Sequence, residues 1–309
     1  MRRRRIRSLN KDKDVNVHIN SRYARALEVE RVRLGRPKPP PSQPPILLLP
    51  EKVFSKSDPK RSILVWINTY DRPSDLKNLL NDIYKNKESF TLKLMIIDDA
   101  SPKSYDKMIE SFSGKLNIEY HKMEKNHGKK GYWRLCNYAI SEIKNNMNYD
   151  YYIKLDDDGR LVDGFFSRCV NLWESIRDPK KICLNFRLDS REGKIVWTGV
   201  KPKLVSYSGN SLYLSQWVDM DFFVNINFFA ALRFRISKQH EARFVNPFSS
   251  SGVGRDISTR LHAAGYNLYL TTQSLVIHDE HDSKMNPGER ERNPLLTKPL
   301  TDSRYGLKR

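Results

Sequence analysis

Cysteine is scarce in this sequence: Cys136, Cys169 and Cys183 are the only three in 309 residues. They form no CxxC pair and no even-numbered framework, which excludes a disulfide scaffold and leaves reduced, packed thiols. A cytoplasmic compartment is the matching expectation. Long apolar runs are missing as well, since no stretch reaches the roughly 18 residues that a membrane-spanning helix needs. The basic start Met1–Arg5 is not followed by the apolar stretch of about 7 to 15 residues that a secretory signal requires. A soluble chain that is not exported by that route is therefore expected. No GxxxxGK[ST] loop occurs, so a P-loop ATPase is excluded. Acid is also in short supply: 36 Asp and Glu stand against 55 Lys and Arg, giving a net charge of +19. Such an excess attracts polyanions.

What is present divides the chain. Residues 1–60 hold 16 of the Lys and Arg and 6 of the Asp and Glu, so over half of the net charge lies in the first fifth. Arg2–Arg7 is a basic cluster, Ser21–Arg33 carries a weak pattern for a short basic helix, and seven prolines fall between Gly35 and Pro50. Such proline density favours extended geometry over packing. Residues 1–60 thus read as a basic arm and a semi-rigid linker. From residue 61 to 285 the texture is that of one folded domain, and residues 286–309, with Pro287, Pro294 and Pro299, read as a tail.

Within the domain, apolar strand runs alternate with helical stripes. Strands are predicted at Ile63–Ile67, Leu92–Ile97, Leu116–Tyr120 and Tyr151–Leu155. Helices are predicted over Ser74–Tyr84, through Tyr105, Met108, Ile109 and Phe112, and from about Gly131 to Lys144. That alternation implies an α/β fold, a single mixed but mostly parallel sheet flanked by helices on both faces. In such sheets ligands bind at the carboxyl ends of the strands.

Those ends are rich in chemistry. Asn68–Pro73 follows the first strand, Asp98-Asp99-Ala100-Ser101 the second, Asn126–Gly131 the third, and Asp156-Asp157-Asp158-Gly159 the fourth. Three consecutive carboxylates after an apolar strand repel one another, and a divalent cation with oxygen ligands relieves the repulsion. Mn²⁺ or Mg²⁺ fits, because each binds one or two carboxylates and fills its remaining sites with water and substrate phosphates. The Asp98-Asp99 pair has a plainer reading as a cap on the next helix.

Taken in order, these pieces resemble the GT-A glycosyltransferases, and among them the inverting family 2 enzymes, over about Ile63 to Asp282. Ile63–Arg72 resembles the opening strand and loop, Met95–Ser101 the "VVDDGS" segment, and Asn126–Asn137 the "NxGxxxARN" segment with Cys136 where Arg is usual. Lys154–Asp158 resembles the DXD motif and Asp219–Leu232 the acceptor-side segment. Gly254-Arg-Asp256 with Ser258–His262 and Gly265-Tyr266 resembles "GEDxxLxxRLxxxGY", Arg255 replacing Glu. Leu275–His278 resembles the late strand that ends in His.

The resemblance implies a GT-A fold and metal-dependent transfer of a sugar from a nucleotide diphosphate, UDP favoured, with inversion. It assigns Asp158 as direct metal ligand, Asp156 to the ribose or to the metal through water, and His278 as a later ligand, with His281 its rival. Thr69, Asp71, Arg72, Asp98, Asp156 and Asp157 become donor contacts, Asp98 facing a base N–H. Lys129 and Arg134 follow a Gly-containing turn into a helix, a reasonable place for phosphate. Asp256 is the expected general base, and Trp217, Asp219, Asp221 and Arg255 lie on the acceptor side, with Asp219 and Asp221 as alternative bases.

The acceptor stays open. The basic arm suits nucleic acid, for example hydroxymethylated bases in DNA, with phosphate contacts from the arm. It equally suits an anionic membrane surface, and a cell-surface or protein-linked glycan is the other acceptor class. A basic nucleic-acid-binding protein on an inactive copy of the scaffold is the reading outside enzymes. A nucleotidyltransferase is disfavoured because the first strand ends in Asn-Thr-Tyr-Asp-Arg and not in a Gly-rich basic loop.

Overall fold

The computed structural model describes residues 60–87, 90–190, 203–215, 218, 221–236 and 252–278, and of residues 129, 130, 188–190, 252, 255, 256, 259 and 263 the backbone alone. All lie within one compact unit, Pro45–Asn293. The arm and linker expected over residues 1–60, all but Lys60, and the tail over 286–309 lie outside the described residues.

The first four strands are β1 (Arg61–Thr69), β2 (Phe90–Asp98), β3 (Asn117–Lys122) and β4 (Tyr151–Asp156). They pair in parallel in the order β3-β2-β1-β4. Beyond β4 the sheet continues through β9 (Phe222–Val224), β6 (Lys181–Ser190), β10 (Asn267–His278), β8 (Asn210–Ser215) and β7 (Lys203–Tyr207), while β5 (Gly159–Leu161) pairs β10. Only β5, β8 and β9 run against the common direction. The expected mixed, mostly parallel sheet is thus present.

Alternation along β1 builds two cores. Ile63, Val65 and Ile67 face α1 (Pro73–Asn86) and α4 (Phe165–Ser175), whereas Leu64 and Trp66 face α3 (Gly128–Asn145), α5 (Ile226–Ala231) and α6 (Gly252–Ala263). Successive residues of a strand point to opposite faces, so a strand covered on both faces reads as a continuous apolar run. Helix α1 starts with Pro73 in its first turn, followed by Asp75, both suited to a helix N-terminus. It buries Leu76, Leu79, Leu80 and Ile83 completely, which favours docking by roughly 6–12 kcal/mol before chain entropy is counted.

Two helices depart from expectation. The stripe from Tyr105 to Phe112 yields only a five-residue helix, α2 (Asp106–Glu110), because the chain turns through Gly114 at φ +77°. Tyr105 and Phe112 still serve as buried anchors on either side of it. Helix α3 begins at Gly128, three residues before the expected start. Its cap comes from another strand end: Asp99 accepts the amides of His127 and Gly128, each at 2.9 Å. Among the described residues no helix is long and apolar enough to cross a membrane. Cys136, Cys169 and Cys183 are free and buried, as expected.

Candidate active site at the strand ends

The parallel register sets Asn68 of β1 beside Asp156 of β4, so the loop after β1 and the acidic turn after β4 emerge together. The short strand β5 then pairs antiparallel with the end of β10, setting Gly159 opposite His278. A Cβ at Gly159 would lie 2.8 Å from Val276 Cγ1, so glycine permits this close approach. Asp82 of α1 clamps the turn from below. Its carboxylate accepts Arg160 Nε at 2.7 Å, Arg160 Nη2 at 2.9 Å and the Leu161 amide at 3.2 Å. His278 is thereby brought to the acidic turn.

At that turn carboxylates meet cations. Lys154, wholly buried in β4, places its ammonium on Asp156. Burial would push that ammonium down, but Asp156, Tyr132 and Asp221 outweigh burial and hold it well above the ordinary lysine value. The Arg72 guanidinium bonds Asp158 and lies 3.5 Å from Asp157. Asp157 also accepts the Thr69 hydroxyl at 2.8 Å. Its burial pushes the carboxyl up to about 7 in spite of Arg72. Asp158 goes the other way: His278 and Arg72 overcome burial and hold it well below the usual carboxylate range. His278 Nδ1 is 3.2 Å from Asp158 and Nε2 is 2.8 Å from Asp221. Burial opposes its charge, yet Asp221, Asp158 and Asp156 push the imidazole up to about 11.

The structure therefore unites Thr69, Arg72, Asp156, Asp157, Asp158 and His278. Asp71 stands in the same loop at φ +51°, a left-handed conformation uncommon for a side-chain-bearing residue, with its amide on Ser101 Oγ at 2.8 Å.

Two of the expected site carboxylates are fully buried. Asp98 is fully buried, its Oδ1 taking the Ser101 amide at 2.8 Å and the Ser101 hydroxyl at 2.5 Å, its Oδ2 the Tyr120 hydroxyl at 2.6 Å. Both oxygens are engaged inside the loop, so Asp98 shapes the loop in this structure. Asp221, expected on the acceptor side, is also fully buried and lies under the acidic turn, bonded to the Asp156 amide and His278. Arg134 is exposed and stacks over Trp133 at 4.7 Å. The amides of His127 and Gly128, where the chain enters α3, are held by Asp99. The side chains of Lys129, Arg255 and Asp256 lie outside the described part, although α6 carries the backbone of the last two. Trp217, Asp219 and His281 also lie outside the described residues.

Sequence alone assigned no role to Lys154 or Asp82. Lys154 did leave a signal, as the one charge inside the apolar run Tyr151–Leu155. Asp82 left none, since an acid beside a helical apolar stripe is ordinary.

The donor chemistry at the turn suits a hard divalent ion: Asp158 and His278 are side by side, with Asp156 adjoining. Among the described residues no group of three or more His, Cys, Asp or Glu side chains is arranged to hold a metal ion. Two protein ligands with the rest left to water and phosphate is the arrangement expected of Mn²⁺ or Mg²⁺.

Comparison with known proteins bears on the fold and the family. No curated protein matches the chain. Among solved structures, S. aureus TarS residues 1–349 shares 12% identity over 76% of this chain and 64% of its own, with a TM-score of 0.50. The same protein in complex with UDP-GlcNAc gives a TM-score of 0.53 at 12% identity over 72% of this chain and 60% of its own. GalNAc-T7 with UDP, GalNAc and Mn²⁺ gives 0.52 at 15% identity over 78% of this chain and 48% of its own. This chain thus spans less than two thirds of these structures, and the likeness establishes the GT-A fold. The family model for glycosyl transferase family 2 matches residues 64–240, more than half of the chain. With its acidic strand ends in the places described, the chain belongs to glycosyl transferase family 2.

Proposed function

We propose that the chain transfers a sugar from a UDP-sugar to an acceptor hydroxyl, with inversion and with a divalent metal. The observation that carries this reading is the meeting of Asp158 and His278 at 3.2 Å, beside Asp156 and Arg72, where the parallel strands end. The metal, held by Asp158 and His278, would stabilise negative charge on the departing diphosphate. Arg72 sits within reach of the same charge, since its guanidinium already lies on Asp157 and Asp158. Thr69, Asp71 and the loop after β1 line the nucleoside side. Asp156 is held in place by Lys154 and aimed at the ribose. Asp256 at the start of α6 accepts the proton of the attacking hydroxyl, which on the face opposite the diphosphate gives inversion.

For the acceptor we infer nucleic acid bearing hydroxymethylated bases, on the strength of the charge concentrated in residues 1–60. A glycan is the competing outcome of the same assay. UDP release is measured with Mn²⁺ over a panel of sugar nucleotides, with modified DNA, plain DNA or glycans. Turnover raised by modified DNA supports the full reading; turnover raised by glycans keeps the transferase and removes the nucleic-acid acceptor. Asp256→Asn is expected to lower transfer about 10²–10⁴-fold with donor binding nearly intact. Equal loss of both would remove Asp256 as the base.

A further inference from the structure

Asp221 is a fully buried carboxylate that the transfer scheme leaves without a task. It directly precedes β9, which runs antiparallel between β4 and β6 and so carries Asp221 to the end of β4. Its own carbonyl accepts the Phe186 amide at 3.1 Å, fixing the backbone. The two carboxylate oxygens then reach two different strands. Oδ1 accepts the Asp156 amide of β4 at 2.7 Å, and Oδ2 meets Nε2 of His278, the last residue of β10, at 2.8 Å.

We infer that Asp221 is a positioning residue for the metal site: it holds the His278 ring by Nε2 so that Nδ1 is the nitrogen presented beside Asp158, and it anchors the start of the acidic turn. This rests on the metal reading above. Nδ1 is indeed the nitrogen 3.2 Å from Asp158. A histidine that ligates a metal through one nitrogen characteristically donates the other N–H to a carboxylate, which settles both tautomer and ring orientation. A base or acceptor contact would instead need access to a hydroxyl within about 3 Å or through one water. Asp221 offers no exposed surface for either.

Asp221→Asn separates this role from simple support. Its carbonyl oxygen can still accept the Asp156 amide, but its NH₂ then faces Nε2. In the metal-bound site, where the imidazole is neutral, that makes Nε2 the acceptor, leaves the ring proton on Nδ1 and removes the lone pair that would ligate the ion. Mn²⁺ affinity of the full chain is read by electron paramagnetic resonance of the free ion, and folding by thermal unfolding. The expected result is a variant that still unfolds cooperatively and binds Mn²⁺ about 10–100-fold more weakly. Unchanged affinity would overturn the proposal. Should the variant fail to fold, ¹⁵N-histidine spectra of the wild-type chain with Mg²⁺ decide instead. A His278 proton on Nε2 supports the assignment, while a proton on Nδ1, or no Mg²⁺ response at His278, defeats it. Sugar transfer is not read in either measurement. Asp221-dependent Mn²⁺ binding without UDP-sugar turnover sinks the transferase reading alone, and turnover with Mn²⁺ binding indifferent to Asp221 sinks this one alone.

Discussion

Two acidic strand ends in this molecule look alike in sequence and behave differently. After β2, Asp98 and Asp99 are met by the Ser101 and Tyr120 hydroxyls, the amides of Ser101, His127 and Gly128, and the His127 ring. After β4, Asp156, Asp157 and Asp158 are met mainly by Lys154, Arg72 and His278. Donors on the main chain and short hydroxyls are fixed by the fold, so the first turn is a rigid joint that shapes a loop and caps α3. A guanidinium on a long side chain can trade a carboxylate for a phosphate, so the second turn is an exchangeable one. What distinguishes an acidic motif that builds from one that reacts is the mobility and charge of its partners.

The largest expected effect probes the second turn. Asp158→Asn, or removal of divalent metal with a chelator, is expected to lower UDP release about 10²–10³-fold, with the chain still folded by circular dichroism. If metal removal changed nothing, the second turn would be as purely structural as the first. Asp98→Ala probes the other side. It strands the Ser101 and Tyr120 donors in a buried place, and stability measured by urea unfolding is expected to fall by about 2–4 kcal/mol. A variant with native stability and a weakened donor affinity would return Asp98 to the nucleotide site.

Gly159→Ala is expected to cost about 1–3 kcal/mol, because its new Cβ would meet Val276 Cγ1 at 2.8 Å and press β5 from β10. Since β5 pairs with the strand that carries His278, Mn²⁺ affinity should weaken along with the urea midpoint. Loss of stability with Mn²⁺ affinity unchanged would show that the turn does not depend on this pairing. The smallest effect belongs to Tyr120→Phe, which removes one neutral donor from Asp98 Oδ2 at about 1–2 kcal/mol. UDP release at saturating donor should remain within about twofold, and a larger drop would blur the contrast between the turns.

Much of the β1 to β4 half was legible because its signals are local. Strand runs buried on both faces and the stripe of α1 appear directly in residue order, and the acidic groups stand at the strand ends as expected. Legibility failed where a partner came from elsewhere. The early start of α3 depends on Asp99, distant in sequence, and α2 was cut short although its apolar spacing continues to Phe112. Cys136, at the position where the family usually has Arg, is a thiol that burial pushes up to about 12. Beyond β4, short strands such as β5 and β9 carry too few residues to show a period.

By itself the sequence determined the α/β alternation, the family and the acidic turn, since each is written in residues close together along the chain. Only the tertiary structure decided that Asp98 is sealed while Asp158 meets Arg72 and His278, and that Asp221 lies beneath the turn, bonded to the Asp156 amide and His278. The physical reason is that a carboxylate's role is set by which donors and cations surround it, and these come from β1, β4, β9 and β10, brought together by the sheet register.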